Sequence, residues 1–462
     1  MCGVFGIHAP GRDVARLAYF ALYALQHRGQ ESAGIAVTDG SRITAVRDLG
    51  LVSQVFDEST LETLRGDMAI GHARYSTTGS SQWQNAQPVV RHREGRTLAL
   101  GHNGNLTNTT ELREELEAKG IRFESTSDTE VIAALICEHP GTLVEGVQEA
   151  ISRISGAFAA VVMDEERLIG FRDPDGIRPL VLGDLDGHPV LASESCALDL
   201  VGARVVRDVE PGEIVVLHPD GVESIRPADP HHPALCVFEF IYFARPDSRI
   251  DGQHLHGVRG RMGERLAAEA PVEADIVIPV PDSGAPAAQG FARRSGIPYM
   301  DGLIKNRYVG RTFIQPDQAM RESGIRLKFN PMPDVLAGRR VVVVDDSIVR
   351  GTTTRKIVEM LRGAGATEVH LRISSPPIIS PCFYGIDMAT KDEMIAAAKS
   401  RAELRGDPPA DSLAYLSLEG LEASTGHGDD RFCRACLTGR YPTPVPAAAD
   451  KDRFEATQLP VA

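Results

Sequence analysis

Three groups of residues in this 462-residue chain have the types and spacing to do chemistry. The first is Cys2, in the opening MCGVFG. Removal of Met1 would leave a thiol and a free α-amine on one carbon. Such an amine titrates near ~7.7 to 8.0, far below lysine, so it can act as a base at neutral pH. A thiol beside its own base is an activated nucleophile. The second group is Asp345 and Asp346 in VVVVDDSIVRGTTTRK, where four valines run into two carboxylates and then into a Ser, Arg, Gly and Thr loop that opens a helix. Parallel sheets bind ligands at the carboxyl ends of their strands, and a loop that leads into a helix N-terminus offers backbone N–H groups to a phosphate. Paired aspartates at that edge suit a Mg²⁺ ion or ribose hydroxyls.

The third group is drawn from seven cysteines, a small and odd number that speaks against a disulfide framework. Cys137 and Cys196 sit in apolar helical patterns and read as core. Cys236, Cys382, Cys433 and Cys436 combine one C-x-x-C pair with two distant thiols. They can complete a four-thiolate site for either Zn²⁺ or an iron–sulfur cluster, and spacing alone does not separate the two.

The elements that must position these groups fall into two regimes. Up to about residue 225 the chain reads as short strands and turns with two clear helices, DVARLAYFALYALQHRG and SDTEVIAALICEH, the second started by Ser127 or Asp128. A Pro and His cluster, RPADPHHPAL, reads as a linker. Beyond it, ADIVIPV, RRVVVVDD and EVHLRI alternate with helical stretches, which implies a parallel sheet with helices on both faces. The expected domains are therefore 2–230 and 231–442, and 443–462, rich in Pro and Ala, reads as a disordered tail.

Composition narrows the function. Lys and Arg number 49 against 63 Asp and Glu, a net charge of −14, which argues against broad nucleic-acid or anionic-membrane binding. Any anionic substrate must be held by local donors. No apolar run approaches the roughly 18 residues of a membrane span, and the start lacks the pattern of a signal peptide, so a cytoplasmic location is expected.

Two family resemblances add to this reading. VVVVDDSIVRGTTT resembles the phosphoribosyl-diphosphate (PRPP) motif of type I phosphoribosyltransferases. The resemblance implies that Asp345 and Asp346 hold the ribose and the metal while Ser347, Arg350, Gly351, Thr352 and Thr353 cradle the 5-phosphate. PDSGAPAA resembles that family's pyrophosphate loop and places Ser283 near Mg²⁺. KNRYVGRTFI, from Lys305 to Ile314, resembles its mobile loop, with Lys305 and Arg311 on PRPP; a basic loop around Gly310 also makes sense by itself as a lid over a pyrophosphate leaving group. The N-terminal half resembles class II glutamine amidotransferases, which are N-terminal nucleophile hydrolases, at five places in order. CGVFGI gives Cys2 as nucleophile, QHRGQESAGIAV gives Arg28 and Gly29, and GHARYSTTG gives Arg74 for the glutamine α-carboxylate. GHNGNLTN gives Asn103 and Gly104 as oxyanion hole, and STSDTEV gives Asp128 for the α-ammonium.

Glutaminase first and PRPP site second is the order of the amidophosphoribosyltransferases, which open purine synthesis, and the resemblance runs from Cys2 to about Pro442. It implies an αββα sandwich followed by an α/β domain with a parallel sheet, ammonia passed between the sites, a homotetramer, and inhibition by purine nucleotides. In iron–sulfur members of that family, cysteines in the contexts of Cys236, Cys382, Cys433 and Cys436 bind a [4Fe–4S] cluster. A glucosamine-6-phosphate synthase type would share the N-terminal half but lack VVVVDDSIVRGTTT. A regulator built on an inert transferase scaffold would need no Cys2 site, and its DNA-binding helices and basic surface are not evident.

Overall fold

The structure, a computed structural model, describes residues 1–76, 79, 81–93, 95–226, 232–306, 327–388, 394, 410–428 and 431–445. Arg311 and most of the expected loop over PRPP lie outside these residues, as does the tail beyond 445.

The N-terminal half stacks four layers. Among the described residues a seven-stranded sheet faces a six-stranded one, with helices outside each. Alternation along Gly3–His8 shows why: Val4 points into the layer between the sheets with Ile70, Val161 and Leu191. Phe5 and Ile7 point the other way, against Ala18 and Leu22 of helix Val14–Ala24 and Cys196 of helix Ser195–Val201. Period-2 side chains with both faces apolar demand a cover on each side. Helix Asp128–Glu138, with Ser127 at its N-cap position, covers the six-stranded sheet with Val131, Ile132 and Cys137. Cys137 and Cys196 are thus core residues, as their patterns suggest.

This sandwich brings distant residues of the N-terminal half together. Gly3–His8 pairs antiparallel with Met68–Arg74, so the residues next to Cys2 and Arg74 stand side by side at one sheet end. Arg96–Leu106, which carries Asn103 and Gly104, runs through the facing sheet beside Gly156–Met163.

In the C-terminal half, Ile276–Pro279, Arg340–Asp345, Glu368–Ile373 and Ser412–Tyr415 form a parallel sheet in that order. The valine run feeds both faces. Val342 and Val344 pack with Ala287 and Phe291 of helix Ala285–Ser295, while Val341 and Val343 pack with Ile357, Val358 and Leu361 of helix Thr352–Gly363. Each buried aliphatic is worth about 1.5–3 kcal/mol. The sheet's carboxyl edge, where Asp345 ends its strand, is left for chemistry.

Candidate active site

At the glutaminase end, a pocket is lined by Cys2, Arg74, Tyr75, Gln87, His102, Gly104, Ser127, Asp128 and Thr129. The Cys2 N–H donates to Asn103 Oδ1 at 3.0 Å. That bond fixes which side of the amide faces the Cys2 backbone, and Asn103 Nδ2 is buried with no partner. A buried donor without an acceptor costs about 1–3 kcal/mol, so Nδ2 would gain from an acceptor brought by a ligand. Gly104 adopts φ 150°, and a Cβ there would stand 1.9 Å from the Ala157 carbonyl oxygen, so only glycine fits. The Tyr75 N–H donates to Cys2 Sγ at 3.5 Å. Burial pushes the Cys2 thiol up, opposed by the positive chain terminus, the Tyr75 N–H and Arg74.

Arg74 ends its strand with Nη1 3.4 Å from Glu31 Oε2 and Nη2 donating to the Gly79 carbonyl at 3.2 Å. Asp128 opens its helix, accepts the Leu106 N–H at 3.0 Å, and lies 3.8 Å from His102 Nδ1. Gly29 backs onto the Ala73–Arg74 backbone, where a Cβ would lie 2.4 Å from the Ala73 oxygen. The side chain of Arg28 stands away from the pocket lining. It is fully buried, bonded through Nε to Glu194 and through Nη2 to Glu239 at 2.6 Å, with its guanidinium 5.0 Å over the Phe243 ring.

At the PRPP end, Asp345 and Asp346 are 9% and 6% exposed and form no ion pair among the described residues. Burial, then the neighbouring Asp346 charge, raises Asp345 well above the usual carboxylate range. Burial also raises Asp346, against hydrogen bonds from the Ser283 and Ser347 hydroxyls and the nearby Arg259. The Ser347 hydroxyl donates to Asp346 Oδ1 at 2.5 Å. Gly351, at φ 76°, is the N-cap of helix Thr352–Gly363, so Thr352 and Thr353 start the helix, exposed. Arg350 precedes it in the same loop. Lys305 Nζ reaches Asp282 Oδ2, in the PDSGAPAA stretch, at 2.6 Å. A carboxylate pair that is costly to charge alone, beside a helix N-terminus, suits a divalent cation or hydroxyl donors together with a phosphate.

The two ends are physically joined. The strap Cys382–Asp387 of the C-terminal half crosses onto the glutaminase pocket. Asn105 Nδ2–H donates to the Phe383 carbonyl at 3.0 Å, and the Tyr75 hydroxyl donates to Asp387 Oδ2 at 3.2 Å. Gly385, at φ 103°, lies so close to Gly104 that a Cβ would be 2.9 Å from the Gly104 carbonyl. On the other side, Arg259 donates to the carbonyls of Phe240 at 2.8 Å and Ala244 at 2.7 Å. It thereby clamps the π-helical turn Glu239–Phe243 that offers Glu239 to Arg28.

Cys236 and Cys433 are register partners in a short parallel pairing of Leu235–Cys236 with Phe432–Cys433. The Cys436 carbonyl accepts the Ile379 N–H at 2.9 Å, and Cys382 Sγ accepts the Tyr384 N–H at 3.4 Å. All four thiols are free. Burial raises Cys436 well above its usual value, and the nearby Cys236, Cys382 and Cys433 raise it further. No group of three or more His, Cys, Asp or Glu stands close enough to share a single ion among the described residues. A cubane is held at its four corners, so its thiolates stand farther apart than the ligands of one ion.

Residue types alone do not point to Tyr75, Glu31, Asn105 or the strap Phe383–Asp387. Tyr75 adjoins Arg74 in HARYST, and that adjacency is the one signal for it.

Fold and sites together define a class II glutamine amidotransferase joined to a type I phosphoribosyltransferase. Family models agree: a glutamine amidotransferase domain matches residues 72–199 and a phosphoribosyl transferase domain residues 253–374. Amidophosphoribosyltransferase from Synechococcus elongatus is 56% identical over 98% of this chain and 93% of that protein. The Bacillus subtilis protein of the same name is 49% identical over 96% and 94%. A solved structure of the B. subtilis glutamine PRPP amidotransferase, complexed with ADP and GMP, has a TM-score of 0.91 at 48% identity and covers 96% of this chain and 98% of that one. The chain belongs to the amidophosphoribosyltransferase family.

Proposed function

We infer that this chain hydrolyses glutamine at Cys2 and delivers the ammonia to C1 of PRPP, giving 5-phosphoribosylamine, glutamate and pyrophosphate, the opening reaction of purine synthesis. The observation that carries this is the strap: one stretch of the C-terminal half touches the residues around both Cys2 and Gly104. With Met1 removed, the Cys2 α-amine takes the thiol proton and the thiolate attacks the glutamine amide. The oxyanion forms against Asn103 Nδ2 and the Gly104 backbone. Arg74 exchanges Glu31 for the glutamine α-carboxylate, and Asp128 receives the α-ammonium. The same proton then leaves the α-ammonium of Cys2 with ammonia, and water releases glutamate from the thioester.

In the second half, Ser347, Arg350, Gly351, Thr352 and Thr353 hold the 5-phosphate at the helix N-terminus, and Asp345 and Asp346 hold the ribose. Bound Mg²⁺ at Asp345, Asp346 and Ser283 would neutralise pyrophosphate oxygens. Lys305 and Arg311 would close on the leaving group. Free ammonia is mostly protonated at neutral pH, so a sheltered route between the sites is required, and the strap is its natural wall. The test is pyrophosphate release from PRPP with Mg²⁺. Glutamine and ammonium salts should both support it, and a Cys2→Ala protein should use the ammonium salts alone. Equal loss with both nitrogen sources would sink the two-site division.

We further propose that the chain is of the iron–sulfur type, with Cys236, Cys382, Cys433 and Cys436 holding a structural [4Fe–4S] cluster. Four free thiols gathered from two parallel-paired strands, the short helix Ala435–Thr438 and one loop, each near enough to weigh on the Cys436 thiol, support this. The homotetramer, the cytoplasmic location and inhibition by purine nucleotides rest on family resemblance, the last supported by the ADP and GMP in the B. subtilis structure. No helix among the described residues is long and apolar enough to cross a membrane.

A further inference from the structure

The glutaminase half contributes a cation to the cysteine site that no motif explains. Arg178 is fully buried, yet its Nε and Nη2 have no partner among the described residues. Its guanidinium lies near enough to Cys236, Cys382 and Cys433 that thiolate charge there would stabilise it. The nearest carboxylate, Glu239, lies 3.8 Å away and is already bonded to Arg28 at 2.6 Å. The remaining nitrogen, Nη1, contacts the Met1 sulfur, a poor acceptor. Arg178 is also held firmly in place. Asp173 accepts its backbone N–H, and the adjacent Ile177 carbonyl accepts the Cys236 N–H at 3.1 Å.

Glu239 therefore serves two guanidinium groups, bonded to Arg28, which also holds Glu194, and only at 3.8 Å from Arg178, whose neighbouring thiols are neutral if unliganded. A buried charge with two idle donors is stable only when an acceptor of opposite charge completes it. A cluster bound by four thiolates is anionic, and its sulfurs accept N–H groups.

We propose that Arg178 donates Nε–H and Nη2–H to sulfur atoms of the cluster held by Cys236, Cys382, Cys433 and Cys436, tying the glutaminase half to the cluster and setting its reduction potential. This rests on the iron–sulfur reading above. Arg178 is a positioning residue that touches neither substrate. Donors and positive charge favour the more negative, reduced cluster, so losing them makes reduction harder.

The experiment uses the full chain purified without oxygen. In protein grown on ¹⁵N-labelled arginine, pulsed EPR of the reduced cluster should show coupling to guanidinium nitrogen. In Arg178→Leu, with iron content matched to the parent, the ratio of reduced to oxidised cluster at a fixed solution potential should fall about tenfold, ~59 mV for one electron. Arg178→Lys, which keeps the charge without the planar fork, should fall in between. The labelled parent protein decides the question even where Arg178→Leu fails to fold. Brown protein without nitrogen coupling, or an iron-replete Arg178→Leu with unchanged potential, overturns the contact and leaves the cluster standing. Colourless anaerobic protein, with zinc or with no metal, overturns the cluster and the Arg178 contact together.

Discussion

Replacing Asn103 by alanine separates catalysis from stability in a way the geometry makes quantitative. The side chain does two opposed things in the free protein: Oδ1 accepts the Cys2 N–H at 3.0 Å, and Nδ2 stays buried and unpartnered. Losing the acceptor strands one donor on the Cys2 nitrogen, at about 1–3 kcal/mol, and losing Nδ2 relieves a stranded donor of the same size. The two offset, so the melting temperature of Asn103→Ala should stay within a few degrees of the parent. In the transition state only the loss remains, because Nδ2 finds its acceptor there. Removing one such donor slows the step by about 10² to 10³, or ~2.7–4 kcal/mol. Pyrophosphate release should therefore fall by that factor with glutamine and by less than twofold with ammonium salts. Asn103→Asp keeps the acceptor for Cys2 but sets a carboxylate against the oxyanion, so it should be slower still with glutamine. A glutamine rate reduced less than tenfold in Asn103→Ala, or a matching drop with ammonium, would refute the oxyanion assignment.

Three other outcomes test the rest of the molecule. Changing Asp345 and Asp346 together to Asn should weaken PRPP use with either nitrogen source while basal glutamine hydrolysis survives; unchanged PRPP kinetics would remove them from the site. Arg28→Met strands the buried Glu194 and Glu239 carboxylates, so thermal or urea unfolding should show a loss of about 3–5 kcal/mol, and a neutral result would mean the pairs are compensated otherwise. His72 is fully buried, and burial pulls it down to about 3, whereas the unfolded chain's imidazole takes a proton near ~6.5. Between those values the unfolded state binds more protons, so stability falls as pH falls, by roughly 2–3 kcal/mol from pH 6.5 to 4.5. His72→Gln should flatten the pH dependence of the urea midpoint by about that amount, and an unchanged slope would clear His72.

Local pattern was enough wherever chemistry or periodicity confined the choice. The unbroken valine run before Asp345 read as a strand covered on both faces, and it packs on both sides. Cys2 drew notice by its terminal position, whereas Asn103 and Gly104 were marked only by the resemblance of GHNGNLTN to the amidotransferases; the structure sets Cys2 and Gly104 in one pocket and bonds Asn103 to the Cys2 N–H. Arg28 shows where pattern stops. It stands in the expected loop, but its side chain is taken by Glu194, 166 positions on, and Glu239, 211 positions on. Pairings of such length depend on the packing of whole domains, which spacing does not encode. Arg178 and the strap Phe383–Asp387 were silent for the same reason: a guanidinium in DPDGIRP and a carbonyl of Phe383 gain meaning only from what folds against them.

Glu239 follows the break between the halves in sequence, yet its carboxylate completes a charge cluster on the glutaminase side. Severing the gene between residues 226 and 232 would therefore leave Arg28 one carboxylate short and strip Arg178 of its nearest one. The inheritable unit is thus larger than the domain: any productive recombination must carry Phe238–Phe243 along with the N-terminal sandwich, or supply a replacement negative charge in the same burial.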